Sequence, residues 1–379
     1  MSARTSSGPS IATRVFGSQW FVSVLAVLIA FAIGAILIAL SGASVVDAYY
    51  AMFRGSIVDP NAANAVRTFK PLTDSLFYSI PLIISGLGLA LGFRAGLFNI
   101  GGKGQIIVGA LAAVWVGFAV SLPPVVHTLV ALLVAVIAGG LYGGIAGVLK
   151  AKTGANEVIV TIMLNSIATL GLGYTLAQKA WQVPGTNQPV TPKVADSAAF
   201  VRLLPAPFKL HVGFLVALVA LVAFWWLIER STLGFQIRAV GANAAAARTA
   251  GISVERITAI TMVLSGAFLG LAGANEALGT IGYVSRDVAG SIGFDAITVA
   301  LLGRNKTWGT FGAGLLFGAF KAGGYTMQAK GVPIDMILIL QSVIVLLIAA
   351  PALVRWLFRL PDVRALAANT RKGNADEHK

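Results

Sequence analysis

Trp20–Leu40 is a run without a single charged residue, and comparable runs recur along almost the whole chain. This pattern constrains the fold more than any other feature. In lipid, every backbone N–H and C=O must find its partner inside the protein, so long apolar runs fold as helices. About 20 apolar residues cross a bilayer. On that ruler ten spans are expected, near 20–41, 76–93, 98–120, 126–149, 157–177, 213–228, 257–279, 291–303, 309–328 and 333–354. The fold class is therefore all-α, a polytopic membrane helix bundle. The eighth span is short and the third opens on a glycine cluster, so both are expected to be broken or tilted. Charged residues make up 11% of the chain, against about 25% in soluble domains.

The net charge of +14 is not read as nucleic-acid binding, because its distribution sets topology instead. Ten spans put both termini on one side. With that side cytoplasmic, the inner flanks hold roughly twice as many Lys and Arg as the outer loops, as the positive-inside rule requires. The expected layout is a cytoplasmic N-terminal tail over 1–19, a transmembrane domain over 20–355 and a cytoplasmic C-terminal tail over 356–379. Trp20–Leu40 is longer than a signal-peptide core and reads as an uncleaved first helix, with a signal peptide as the alternative. There is no cysteine, which removes disulfides and thiolate chemistry. His127, His211 and His378 form no ligand pair, and no metal site is expected.

Small residues recur four apart at Gly88/Gly92/Gly96, Gly140/Gly144, Gly143/Gly147, Gly266/Gly270 and Gly314/Gly318. Such spacing lets helix backbones approach closely, so these pairs are assigned to packing rather than function. Glycine interruptions at 96–104 and around 303–314 echo one another. Paired interruptions of this kind accompany internal pseudo-repeats in transporters.

Ser231–Ile252, between the sixth and seventh spans, reads as two short helices. The first ends at Gly241, and the second runs from Ala244 to Ala250. Asn243 is placed as N-cap and Gly251 just past the end. About two turns cannot cross a bilayer. A stiff knob on the cytoplasmic side suits a membrane protein driven by a partner there; the alternative is an Ala-rich loop.

Several polar residues fall at membrane depth. In Gly96–Gln105, glycines permit unwound backbone, and Asn99 and Gln105 could bond a polar solute; a plain turn is the alternative. Asn165 lies two turns beyond Glu157 and is either pathway lining or interhelical glue. Asn275, Glu276 and Asp295 are candidates for the solute pathway, because ionisable groups inside a membrane face a cavity or a partner. Lys321 is a candidate ion-pair partner for Asp295 or Glu276. Arg304–Thr307 could seat a cytoplasmic partner or merely anchor topology. No nucleophile elbow, P-loop or acid cluster occurs, so this chain is not expected to be an enzyme or to bind ATP through a Walker motif.

Four stretches together resemble the permease subunits of bacterial ATP-binding cassette (ABC) importers of the ribose, branched-chain amino acid and nucleoside superfamily. They are GLFNIGGKGQ (96–105), GANEVIVTIMLN (154–165), LGFQIRAVGANAAAARTAGI (233–252) and GFDAITVALLGRN (293–305). The second stretch and PGTNQPVTP (184–192) are most similar to the nucleoside-type branch. The resemblance spans about 70–355. It implies a multi-pass protein of the bacterial cytoplasmic membrane without catalysis of its own. It also implies a second permease chain (a paralogue or an identical copy), ABC ATPase subunits carrying ATP and Mg, and an extracytoplasmic substrate-binding protein.

Within a coupling loop over 229–256, Gly234, Arg238, Ala239, Gly241, Asn243, Ala247 and Gly251 match the part that contacts the ATPase. Arg238→Glu is then expected to abolish uptake and leave the chain folded in the membrane. Lys103 departs from the acidic or neutral residue common at its position, so no carboxylate role carries over there. The loop of the maltose-type permeases is absent. The function expected is nucleoside import, with a simple-sugar or branched-chain amino acid permease, or an ion-gradient transporter, as alternatives.

Overall fold

The computed structural model describes residues 19–349 except residue 334, together with Val354 and Phe358. The expected tails, apart from Gln19 and Phe358, lie outside the described residues, and so does His378. Thirteen α-helices are described: α1 (Gln19–Leu40), α2 (Val45–Ser56), α3 (Ala65–Arg94), α4 (Gly102–Ala119), α5 (Val126–Thr153), α6 (Glu157–Ala177), α7 (Gly213–Arg230), α8 (Thr232–Ala242), α9 (Ala244–Thr249), α10 (Val254–Asn275), α11 (Ile292–Leu302), α12 (Thr307–Gln328) and α13 (Asp335–Ala349). The described residues contain no strand beyond an isolated bridge between Arg202 and His211.

Each expected span coincides with a helix. Six of the described helical stretches are both long and apolar enough to cross a bilayer: α3, α4, α5, α6, α7 and α10 with its extension to Thr280. The short eighth span is α11, of 11 residues. The region 42–75, expected as a loop, instead contains α2 and the first turns of α3. α2 carries Asp47 in its first turn and Arg54 in its last, matching the helix dipole, and its polarity hid it from a ruler based on apolar length.

The chain forms two compact units. One holds residues up to Tyr49 together with those from Gln328 onward, and in it α13 packs against α1. The other, Tyr50–Met327, holds every residue expected to carry function. Its centre is α10, which packs against α5, α4 and α3. α11 lies on α3 and α4, and α7 on α3.

Glycine explains how closely α10 approaches its neighbours. A Cβ built on Gly266 would lie 2.3 Å from the carbonyl oxygen of Gly139 in α5. The two helices therefore meet backbone to backbone, which apolar side chains alone would prevent. Polar caps fix the ends: Asn64 Oδ1 accepts from Arg67 N at 2.9 Å and Asn156 Oδ1 from Val158 N at 2.9 Å.

Candidate functional site

The segment between α3 and α4 is unwound, with Leu97 and Asn99 buried and Gly96 and Phe98 exposed. Asn99 is 1% exposed and Gln105 1%. Asn99 Nδ2 donates to Gln105 Oε1 and to Ser265 Oγ, both at 3.0 Å, and Gln105 Nε2 donates to Asn99 Oδ1 at 3.2 Å. The two amides thus use much of their hydrogen-bonding capacity on each other and on α10. Asn165 holds the same segment from α6: Nδ2 donates to Ile100 O and Oδ1 accepts from Gly104 N, both at 2.8 Å. Buried amides satisfied in this way rigidify a turn that would otherwise leave orphaned backbone groups at membrane depth. Asn165 also lines an open cavity of about 610 Å³, with Lys103, Ser166, Thr169 and Phe294 around it.

Asn275 and Glu276 mark the far end of α10. There the helix widens into a π turn, Glu276–Thr280. Single π turns inside helices frequently occur at functional sites. Thr280 Oγ1 donates to Glu276 Oε1 at 3.0 Å, while the buried Asn275 Oδ1 has no hydrogen-bond partner among the described residues. Glu276 lines a second cavity, of about 250 Å³. Asp295 lies apart from it, accepting from Ser291 Oγ at 2.6 Å. Neither carboxylate forms an ion pair with Lys321, which makes no salt bridge within 4.0 Å among the described residues. The expected pair is therefore absent. Lys321 and Glu276 line the same cavity but do not close on each other.

At the opposite end of α10 are α8 and α9. Ser231 Oγ accepts from Gly234 N at 2.9 Å, and Asn243 Oδ1 accepts from Ala246 N at 3.0 Å, so each short helix has its own N-cap. Gly251, at φ +83°, ends the second, with Ile252 N returning to Ala247 O at 3.0 Å. The helix ends fall within one residue of those read from sequence. Gly234 packs on the end of α7 and Gly241 on the end of α3; a Cβ on Gly241 would lie 2.1 Å from Arg94 O. Ala247 is buried, Ala239 half-buried and Asn243 exposed.

Arg238 is half-buried and donates to Ile228 O. It therefore ties α8 to the end of α7, and Arg238→Glu would remove this contact as well as change the charge of the loop. The exposed group that sequence reasoning passed over is Phe235, 60% exposed on α8. Arg94, at the end of α3, is a second such group, though half-buried. Its Nε donates to Asn305 O at 2.7 Å, its Nη2 lies 3.9 Å from Glu229 Oε1, and its own carbonyl lies under Gly241. It ties the ends of α3, α7 and α8 to the loop before α12, in which Arg304 and Asn305 both adopt positive φ.

No cluster of three or more His, Cys, Asp or Glu that could hold a metal occurs among the described residues. The described residues form a helical bundle with six stretches long and apolar enough to cross a membrane, a two-helix knob with its own caps, and two cavities lined in part by polar groups. The sequence match is specific: residues 72–349 match the family described as branched-chain amino acid transport system / permease component, and this chain belongs to that family.

Three relatives match over most of their length. A guanosine ABC transporter permease protein of Bacillus subtilis is 40% identical over 89% of this chain and 95% of its own. A glucose ABC transporter permease protein of Haloferax volcanii is 35% identical, over 85% of each chain. A nucleoside ABC transporter permease protein of Lactococcus lactis is 32% identical over 92% of this chain and 95% of its own. No solved structure matches the chain.

Proposed function

We propose that this chain is the permease subunit of an ABC importer for nucleosides in the bacterial cytoplasmic membrane. The observation that carries the reading is the end-to-end match, at 40% identity, to a permease named for guanosine. In this reading ten helices cross the membrane over 20–355, with the tails 1–19 and 356–379 in the cytoplasm. The coupling loop 229–256 docks on ABC ATPase subunits that carry the ATP and Mg; this chain binds no cofactor. Two features support the docking face: α8 and α9 are individually capped, and Gly234 and Gly241 seat α8 directly on the ends of α7 and α3. A push on the knob would therefore reach α3 and α7 without passing through a flexible joint.

A second permease chain, paralogous or identical, completes the pathway. The polar set of half-buried Lys103 and Asn165 and exposed Ser166 and Thr169 supports this, because such groups are costly against lipid and suit a water-filled path or a partner. Asn99, Gln105, Asn275, Glu276 and Asp295 stay assigned to shaping or lining that path, the first two by fixing its walls. An extracytoplasmic binding protein delivers the solute. A simple-sugar substrate is the second reading, favoured by the 35% identity to the glucose permease.

Uptake of labelled guanosine, adenosine, uridine, ribose and leucine, with and without this chain, tests the proposal when ATP and the proton gradient are depleted separately. Chain-dependent nucleoside uptake that follows ATP is expected. Chain-dependent uptake of ribose or leucine alone would move the substrate, and uptake that follows the proton gradient would overturn the ATP-driven mechanism.

A further inference from the structure

The cavity of about 250 Å³ at the π turn brings together three chemistries from four parts of the chain. α3 supplies Phe77 and Tyr78, the π turn Glu276 and Thr280, the segment before α11 Asp287, and α12 Lys321 and Tyr325. The first is aromatic. The rings of Tyr78 and Tyr325 lie 5.3 Å apart at 37°, both residues line the cavity, and Tyr325 is 45% exposed rather than packed away. The second is a buried acid: Glu276 is 6% exposed, and its position is set by the π turn and by Thr280. The third is Lys321, which has no ion pair within 4.0 Å among the described residues.

An acid and an amine lining one small space inside a membrane protein would ordinarily close into an ion pair. Here the cavity keeps them apart. A solute that offers hydrogen-bond donors to one side, acceptors to the other and a flat π face to the phenol ring would engage all three. A nucleobase does so: its amino and ring N–H groups donate, its carbonyl and ring nitrogens accept, and its faces stack on aromatic rings. A free sugar offers the hydroxyls without the π face.

We propose that this cavity is a reception subsite for the base of a nucleoside. Tyr325 stacks the base, Glu276 accepts from its N–H groups, and Lys321 donates to its carbonyl or ring nitrogen. The subsite lies at the end of α10 away from α9. With 22 residues at 1.5 Å each, that is about 30 Å from the coupling helices, and in the orientation proposed above it is the face where solute arrives. This assignment deepens the nucleoside-import reading and rests on it.

The test is initial-rate uptake of labelled guanosine and labelled ribose over a concentration series. It uses cells carrying the chain in its native context, with membrane levels matched by immunoblot. Tyr325→Ala is expected to raise KM for guanosine about tenfold or more, as loss of one base-stacking contact predicts, with little change in kcat. Tyr325→Phe, which keeps the ring, should stay near the wild type. Lys321→Met should raise the same KM, and inosine and guanosine should compete with label where ribose does not.

Wild-type KM in both Tyr325→Ala and Lys321→Met overturns the subsite while leaving nucleoside import standing. An equal rise for ribose and guanosine overturns the nucleobase assignment. No nucleoside uptake by the wild type overturns the import reading itself, and the subsite with it. Tyr325 and Lys321 both project from α12 at partly exposed positions, so their variants test the cavity without opening the α5–α10 seam.

Discussion

Replacing Gly266 by alanine tests the reasoning about the bundle core most directly. The added methyl would sit 2.3 Å from Gly139 O and 3.1 Å from Gly143 Cα. The first distance is about 1 Å short of ordinary van der Waals separation. Its obstacle is backbone, so no side chain can rotate away, and α5 and α10 must move apart. Overpacking of this kind costs about 1–3 kcal/mol, and a backbone obstacle puts Gly266 at the upper end. Alanine returns about 1 kcal/mol through its better helix propensity, leaving a net loss near 2 kcal/mol. At about 2–4 °C per kcal/mol for a large domain, Tm falls by about 4–8 °C.

The control is Gly171→Ala in α6, where a Cβ meets nothing within 4 Å. It gains propensity without overlap, so its Tm should hold or rise by a few degrees. Intrinsic tryptophan fluorescence of the purified chain in detergent, scanned with temperature, reads both. Equal shifts in the two variants would refute the claim that backbone contact, rather than glycine content, organises this core.

Asn99→Leu removes a buried amide that serves Gln105, Ser265 and Gly101. The unsatisfied partners should cost about 1–3 kcal/mol, seen as a lower Tm, while Asn99→Asp should retain the acceptor bond from Gly101 N. Asn243→Ala removes the cap of α9, worth about 1 kcal/mol. It should lower ATP-dependent uptake more than membrane level, and unchanged uptake would argue that α9 is only a linker. Phe235→Ala tests the same face from α8 without touching the contact that Arg238 makes with the end of α7, and uptake should fall while Tm holds.

His211 lies in the segment ahead of α7, its ring 5.3 Å from Phe77 and 5.4 Å from Phe200, and burial pushes it down to about 4 from 6.5. Its folded-state value is depressed, so the unfolded chain takes up the proton first. Its stabilisation is then complete above about pH 6.5 and is lost as pH falls toward 4. Tm measured at about pH 7.5 and about pH 5 should drop in the wild type and drop less in His211→Gln; parallel drops would remove His211 as the cause.

Which parts of this structure were readable in advance follows from how local their causes are. Asn243 and Gly251 announce α9 because a cap and a left-handed stop act within one turn, and the structure uses both. The glycine pairs announce close packing, but not that Gly266 faces Gly139, since a partner helix is not written in spacing. Asn99 and Gln105 announce only that buried amides need partners. That they choose each other and Ser265 depends on α10 arriving from more than 160 residues away.

Lys321 invites pairing with an acid by charge alone, yet the π turn aims Glu276 so that a cavity comes between them. A π turn leaves no periodic trace in five residues. α2 was missed for the opposite reason: its charges at both ends stabilise a short helix while disguising it as a loop.

The seam along α10 has a mechanical consequence. At Gly266 it meets Gly139, at Gly270 it meets Ala135, and at Gly273 it meets Ile106 of α4, each time backbone against backbone. Side chains can switch rotamers to let one helix slide past another, but main chains pressed together cannot. Shifting the register by one residue would drive a Cβ into a carbonyl. α4, α5 and α10 therefore behave as a single stiff strut, and compliance is left to its two ends. One end is the π turn, and the other is the junction of α9 with α10. Displacement applied at one end is delivered at the other with little lost between them.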